Sequence, residues 1–534
     1  MSTALRSSPV EDDAGAARWT TTNAAESLPG VIDPLTWTFY FPAVEHGTRA
    51  AWRDLGALTA PEVGLDLAPE LCFYGIFAGR MAMNLDRFCA MADRMPGSSA
   101  AKLEEHLFGG SAGTHAGTSS ARRYPAVALR APFGVRRAER TMLRLEREIG
   151  ARRREVLAEL AAGADETTAR GYLCEALDYV QPWNRSHVLL SMVAQGLYER
   201  IGNLTAAAGC PEVLGDLVKT LDGTDETRTV ADVWALSRGE LSEATFLDRH
   251  GYHGHDEGRL SATVWRENPA PLRKLAASYR DMPDAQHPRH AVTRRVEAQA
   301  RAQAALLDNL DPLRSRGMRL LLPMGLRYTG LRETGRTTFL QILDIGRASA
   351  RALGAHLVAR GVLNQPDDVF MLTVEELLHP ASDLRDLVSG RHHDHDTFSG
   401  VDLPQHWTGT PERLPLSAEA ATETEAEPME GPQLIGLPGS PGAADGIARV
   451  IRDPEDDFEP GEILVCRTTD PSWAPLFAMT SAVVIDIGGA MSHGAIVARE
   501  LGIPCVINTK SGTRRIKDGD RLRVDGSAGT ITFT

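Results

Sequence analysis

The chain of 534 residues contains no run of about 18 apolar residues, so no segment reads as a membrane-crossing helix. Residues Met1 to Arg18 are small, polar and acidic. They lack the basic start and apolar centre of a signal peptide and read as a disordered lead-in. Lysine is scarce, with five (Lys102, Lys219, Lys274, Lys510, Lys517) among 57 basic residues. Together with abundant alanine and glycine, this reads as a compositional bias toward arginine, not as an anion-binding design. The net charge of −14 argues against nucleic acid as a main partner, because that partner requires a basic surface. The six cysteines (Cys72, Cys89, Cys174, Cys210, Cys466, Cys505) are scattered and show no metal-type pairs, so no metal site is expected. Their apolar neighbours mark them as reduced core thiols of a cytoplasmic protein. No Gly-x-x-x-x-Gly-Lys-Ser/Thr phosphate loop occurs, and no internal repeat is visible.

What is present fits a chain of two or three domains. Hydrophobic residues make up 43% and charged residues 24%, an ordinary globular balance. Residues 136–162 place Met142, Leu143, Leu145, Ile149, Val156, Leu157 and Leu160 at helical spacing. Residues 167–206 and 288–310 follow the same period, and 336–361 reads as another long helix. Around 385–430 the composition shifts to His, Ser, Thr, Glu and Pro, and the His392, His393, His395 cluster reads as solvated linker. After Pro432 come short β-like runs: 447–451, 463–466, 483–487, 506–507, 521–524 and 529–533. The expected layout is a lead-in (1–18), a large, mainly α-helical substrate-binding domain (19–380), a linker (381–431) and a small α/β domain (432–534).

The chemistry concentrates near the C-terminus. Val483–Ile487 reads as a buried strand, followed by Gly488, Gly489, Ser492 and His493, then an apolar-periodic helix that stops at Gly502 and Pro504. A single histidine is thus held on a glycine turn where a helix begins. Helix N-termini present unpaired N–H groups and positive dipole, which favour an anion on or beside that histidine. A phosphoryl group fits, and neutral imidazole, with a reference pKa of about 6.5, is a competent nucleophile near neutrality. Gly488, Gly489, Ser492 and Gly494 are the expected phosphate-binding positions. A lone histidine is more often structural, but here the turn and the helix start reverse that reading.

The segment from Gly488-Gly489 through Ser492-His493, Ala495–Glu500 and Gly502-Ile503-Pro504 resembles the phosphohistidine swivel domain of the phosphoenolpyruvate-utilising enzymes. Gly439–Gly442, Thr469–Trp473 and Asp525–Thr530 agree with its flanks. Looser blocks at Trp19–Thr36, Gly79–Asn84, Gly251–His255, Leu331–Glu333 and Asp367–Glu376 are similar to the substrate-binding domain of rifampicin phosphotransferases. The resemblance implies that His493 takes phosphoryl at a nucleotide site and delivers it at a second site, with the small domain swinging on its linker. Nothing in the chain resembles the ATP-grasp module that opens the complete enzymes. ATP and Mg²⁺ are therefore expected on a separate ATP-grasp protein acting in trans, with no cofactor held stably by this chain. The acceptor would be a hydroxyl-bearing small organic molecule, an antibiotic or a natural-product intermediate. Its phosphorylation would be either the end product or an activation for dehydration or cyclisation.

Two further clusters are candidates. Arg332, Glu333 and Arg336 are expected at the start of the 336–361 helix, where two guanidinium groups one turn apart match phosphate oxygens; the bland reading is a solvated helix end. In His250–Glu257, either His253 or His255 could deprotonate the acceptor hydroxyl, against a structural or, more remotely, a metal-binding role. Asn23, Glu26 and Thr36 are weaker candidates for shaping a pocket. Trp37, Phe39, Tyr40, Phe41, Phe73, Tyr74 and Phe77 read first as core. The alternatives to a phosphotransferase component are a non-catalytic small-molecule binding protein and a fragment of a longer phosphotransferase.

Overall fold

The computed structural model describes residues 16–534 except 23–27, 65–70, 97–98, 102, 105–120, 219–223, 285–286, 416–432, 470 and 490–491, and only the backbone at 291, 415, 471 and 493. Asn23 and Glu26 lie outside the described residues, as do residues 1–15 of the expected lead-in. The chain is mainly helical, with a separate α/β sheet region near the C-terminus. It divides into two compact units. The first comprises Met1–Leu190, Gly258–Ala262 and Gly335–Met429, and the second comprises Ser191–Glu257, Thr263–Thr334 and Glu430–Thr534.

In the first unit a four-stranded antiparallel sheet runs in the order Tyr74–Phe77, Arg80–Asn84, Arg18–Thr20, His406–Thr408. Ala78 and Gly79 turn its hairpin with φ of 44° and 72°, the positive values that a two-residue turn of matching twist requires. Trp19 is fully buried, edge-on to Phe77 at 5.1 Å. Helix Pro34–Tyr40 starts where Asp33 accepts the Thr36 N–H at 2.7 Å, with proline at its first position. Thr36 donates its hydroxyl to Asp33 and accepts from the Leu260 N–H, so it secures this helix start. Trp37, Phe39, Tyr40, Phe73, Tyr74 and Phe77 are buried in the core.

Within the stretch expected to be linker, Arg385–Ser399 is a helix. Its buried residues Val388, Arg391 and Phe398 fall at helical spacing. Buried Arg391 donates twice to Glu376 and once to the Met371 carbonyl, at 2.6–2.8 Å. The polar composition concealed a helix that is anchored by one ion pair. The His392 ring lies 3.3 Å from Asp368.

The second unit holds an eight-stranded sheet in the order Gln433–Ile435, Thr530–Phe533, Arg521–Asp525, Ala443–Val450, Ile463–Cys466, Ala482–Ile485, Cys505–Ile507, Leu437–Ser440. The central four strands are parallel and the flanking ones antiparallel. Ile463–Cys466 and Ala482–Ile485 are buried at every position, as strands covered on both faces must be. Alternate residues therefore feed two cores. Ile463, Val465, Ala482 and Val484 pack with Leu522, Val524 and Ile531 on one face. Leu464, Cys466, Val483 and Ile485 face the other, where Val233, Trp234, Phe246, Leu272 and Tyr279 complete the core. The helices of residues 225–282 pack onto this face together with the segment's own Trp473, Phe477, Val497 and Ala498. Polar bonds cross the same interface: Tyr279 Oη to the Pro475 carbonyl at 2.6 Å and Thr224 Oγ1 to Glu500 at 2.8 Å.

Trp234 carries much of this cover, and Arg238 lies over its ring at 4.7 Å. Trp234→Ala is expected to destabilise the second unit by about 3–5 kcal/mol. Truncation of exposed Leu313 should stay within about 0.5 kcal/mol. Urea unfolding followed by circular dichroism compares the two, and equal losses would refute the shared core.

Candidate functional site

The site is built on strand Ala482–Ile485, the turn after it and helix His493–Leu501. Ser492 is the N-cap: it has extended backbone (φ −64°, ψ 157°), and its side chain accepts the Ala495 N–H at 3.4 Å. The first intrahelical backbone bond runs from Ile496 N–H to the Ser492 carbonyl at 3.1 Å. The N–H groups of His493 and Gly494 therefore precede the helical ladder and open at the positive end of the helix. Ser492 is buried, and its hydroxyl keeps a proton to donate after accepting from Ala495. At the other end Gly502 takes φ 72°, and its N–H and that of Ile503 close onto the last turn, as a left-handed cap does.

Gly494 has a packing reason to be glycine. A methyl group there would run into Ile485 Cδ1 and come within 2.8 Å of Thr469 Oγ1. This close approach seats the helix start directly on the strand. Asp486 follows the strand and accepts from Thr509 Oγ1 at 2.7 Å, from the Gly512 N–H at 2.5 Å and from the Thr513 N–H at 3.1 Å. Its carboxylate is committed to the 509–513 segment, and Glu500 is committed to Thr224. The buried turn at Gly488 and Gly489 is thus braced from behind.

Arg332, Glu333 and Arg336 do not start a helix, which corrects the sequence reading. They sit inside a single helix, Pro312–Ala359. Two glycines, Gly330 and Gly335, lie within it, each costing an interior helix about 1 kcal/mol relative to alanine. A methyl group at Gly335 would lie 2.5 Å from His187 Nδ1 and 2.9 Å from Met142 Cε, so glycine there permits close helix contact. Arg332 donates to buried Glu333 at 3.1 Å. Any clamp at this place works through its guanidinium groups alone, without help from a helix end.

His253 is also corrected. Its Nδ1 lies 2.7 Å from Glu257 Oε2 and its Nε2 3.0 Å from Asp225 Oδ2, all three residues being buried. Burial alone would lower its pKa, but the two carboxylates outweigh burial and push it up to about 10. At neutral pH the ring is a cation with both nitrogens donating, so it has no lone pair to act as a base. Burial alone would likewise raise the Asp225 pKa, yet the His253 charge holds it far below the carboxylate range. Tyr252 Oη donates to the same Asp225 carboxylate at 3.0 Å. Asp225, His250 and His253 bring one potential metal-ligand atom each within 4.8 Å of one another. A metal ligated by His253 Nε2 there would have to displace its bond to Asp225. Sequence reasoning missed Asp225, which reads as a first-turn acid behind the Thr224 cap and lies 28 positions from its partner.

His255 differs from its neighbour. Its side chain is 37% exposed. It borders a hollow of about 50 Å³ together with Trp265, Lys274, Phe458, Ser472 and Met479. Of the two candidates for the expected base role, His255 is the more accessible.

Residues 458–529 match the PEP-utilising enzyme mobile domain, and residues 200–333 match the rifampicin phosphotransferase fourth domain. Both matches agree with the resemblance read from the motif around His493. Rifampicin phosphotransferase of Bacillus subtilis is 30% identical over 297 residues, covering 54% of this chain and 33% of that one. The Streptomyces sviceus enzyme of the same name is 37% identical over 215 residues, 38% of this chain and 23% of that one. An uncharacterized protein of Mycobacterium tuberculosis is 34% identical over 294 residues, 54% of this chain and 31% of that one. The chain spans about a third of the length of the curated relatives it matches. No helix of the described residues is long and apolar enough to cross a membrane.

Two outcomes follow from the geometry. His253→Ala leaves two buried carboxylates facing each other and is expected to cost about 3–5 kcal/mol. Because the folded pKa is raised from 6.5 to about 10, His253 stabilises fully below pH 6.5 and loses its contribution as pH rises toward 10. Denaturant midpoints between pH 6 and 10 should therefore fall in the wild type and less in the variant; parallel curves would contradict the bridging cation. Gly494→Ala should cost about 1–3 kcal/mol through overpacking. The same midpoints measure it, and an unchanged value would rule out the tight seat on Ile485.

Proposed function

We propose that the chain is the phosphoryl-carrying and acceptor-binding part of a phosphotransferase, and that His493 is the carrier. The observation that bears most weight is the placement of His493 as the first residue of a Ser492-capped helix within the matched 458–529 segment. In this reading an imidazole nitrogen attacks a phosphorus of a nucleotide held with Mg²⁺ by an ATP-grasp protein. A nitrogen–phosphorus bond forms, the bond to the nucleotide oxygen breaks, and the ring proton leaves to a base. The acceptor's hydroxyl oxygen then attacks the same phosphorus, the nitrogen–phosphorus bond breaks, and the leaving ring nitrogen takes a proton back from the base, which restores the neutral imidazole. Gly488, Gly489, the Ser492 hydroxyl and the N–H groups of His493 and Gly494 hold the phosphoryl oxygens. Arg332 and Arg336 neutralise charge during transfer, and His255 takes the acceptor proton. Rifampicin phosphotransferases among the relatives support the transfer of phosphoryl to an organic hydroxyl.

The packing within the second unit bears on how His493 would move. Residues 432–534 share an apolar core with the 225–282 helices, in which Trp234 and Tyr279 take part. Each apolar side chain exposed on separation costs roughly 1.5–3 kcal/mol, which favours His493 moving together with those helices. A cytoplasmic setting, where nucleotide is supplied, belongs to the same proposal.

Intact-mass spectrometry under mildly basic conditions tests the reading. The chain is incubated with ATP, Mg²⁺ and an ATP-grasp protein. The expected result is one acid-labile phosphoryl adduct that requires the ATP-grasp protein and disappears in His493→Ala. An adduct that persists in His493→Ala, or none with any such protein, would sink the proposal.

A further inference from the structure

The first unit carries a trough that the reaction scheme above leaves without a role. The C-terminal end of helix Ala43–Asp54 and the sides of helices Tyr124–Ala161 and Glu166–Ala207 enclose a cavity of about 330 Å³. A smaller hollow of about 110 Å³ shares Asp54, Arg137 and Arg185 with it. Five guanidinium groups, those of Arg53, Arg130, Arg137, Arg144 and Arg185, line the two hollows around one carboxylate, Asp54. That carboxylate is already taken. Arg185 Nε and Nη2 each donate to it at 2.8 Å, and Arg137 lies 4.0 Å away. Arg53 and Arg130 have no ion-pair partner among the described residues. On a chain with a net charge of −14, so much local positive charge is a concentration, not a reflection of composition.

The trough is shaped by two residues that a long helix otherwise avoids. Pro132 interrupts the hydrogen-bond ladder of helix Tyr124–Ala161. Two positions on, Gly134 lets the helix close on the end of its neighbour, since a methyl group there would lie 2.8 Å from the Asp54 carbonyl oxygen. Beside the arginines, Leu129 and Phe133 are 70% and 72% exposed, among the most exposed large apolar side chains described. Cations next to an exposed aromatic ring and an exposed leucine suit a ligand with an acidic head and an apolar body. The cavity volume is that of a small-molecule site.

We propose that this trough binds an organic acid, a carboxylate or phosphate on an apolar skeleton, and that the acceptor of the phosphotransferase is such a compound. Calling the ligand the acceptor rests on the phosphotransfer reading; the binding of an apolar oxyanion does not. Guanidinium groups at Arg53 and Arg130 hold the oxyanion, and Phe133 and Leu129 cover the apolar part.

Two fluorescent probes test the inference on the full chain: 8-anilinonaphthalene-1-sulfonate, and N-phenyl-1-naphthylamine, which has the same rings without the charge. The sulfonate should bind saturably, and the neutral dye much more weakly. Arg53→Gln combined with Arg130→Gln should weaken the sulfonate by about tenfold or more, and Phe133→Ala should weaken it as well. These side chains are exposed, so unchanged thermal melts separate lost binding from lost fold. Displacement by phenyl phosphate or by benzoate identifies the preferred head group, and displacement by neither overturns the inference. Equal binding of the two dyes, or wild-type sulfonate binding by the double variant, overturns it too. His493→Ala should bind the sulfonate as the wild-type chain does while forming no phosphohistidine. Failure of the trough and failure of the phosphoryl carrier are thus read separately.

Discussion

Burial of the central parallel strands on both faces is the constraint from which the rest of the second unit follows. Strands Ile463–Cys466 and Ala482–Ile485 have no solvent-facing side, so each face must be covered. One cover comes from the antiparallel strands near the C-terminus, through Leu522, Val524 and Ile531. The other comes from the segment's own helices, through Phe477, Ala495 and Ala498, backed by helices more than 150 positions earlier in the chain, through Trp234, Phe246 and Tyr279. A small sheet domain and a helical block are thereby made into one body. The helix bearing His493 lies on that shared face, with Ala495, Val497 and Ala498 in the common core. The orientation of its N-terminus is fixed by packing on one side and by the Ser492 cap at its start.

The polar features divide into those that hold the fold and those left available for chemistry. Asp486, Glu500, Asp225 and His253 are all buried and all engaged, so they stabilise the frame. The His253 bridge is informative because a histidine between two carboxylates resembles catalytic machinery in a sequence, whereas its protonation in the fold removes it from acid–base duty near neutrality. Availability is found instead at the helix start, where N–H groups precede the helical ladder, and at His255, which stands partly exposed beside a hollow. The arginines of the first unit add another such feature. Composition alone dismissed them as bias, but their grouping around a single occupied carboxylate gives them a chemical meaning.

Local chemistry was legible in the sequence where one short segment carries it. Strand Val483–Ile487, Gly488-Gly489, the Ser492 cap, the helix and the Gly502 stop lie in one stretch, and the structure forms a strand, turn, capped helix and left-handed cap in that order. Long helices were legible from their period, and helix Glu166–Ala207 lies within one residue at each end of the expected 167–206. What escaped reading depends on partners distant in sequence. The Asp225–His253 bond is such a case, and so is the helical cover of the sheet. The run at 447–451 was legible, but strand Ala443–Val450 begins four residues earlier, among alanines and glycine, and a methyl group at Gly446 would lie 3.0 Å from Ile463 and Ser481. The expected helix 336–361 begins too late, because helix Pro312–Ala359 runs unbroken through Arg332, Glu333 and Arg336.

The central claim is that phosphorus becomes bonded to a nitrogen of His493. The most direct measurement is phosphorus NMR on the chain labelled with nitrogen-15 histidine, phosphorylated by ATP and an ATP-grasp protein and kept mildly basic. The account predicts a single phosphoramidate resonance split by one-bond coupling to a labelled ring nitrogen. A resonance without that coupling, characteristic of an ester on oxygen, would contradict it.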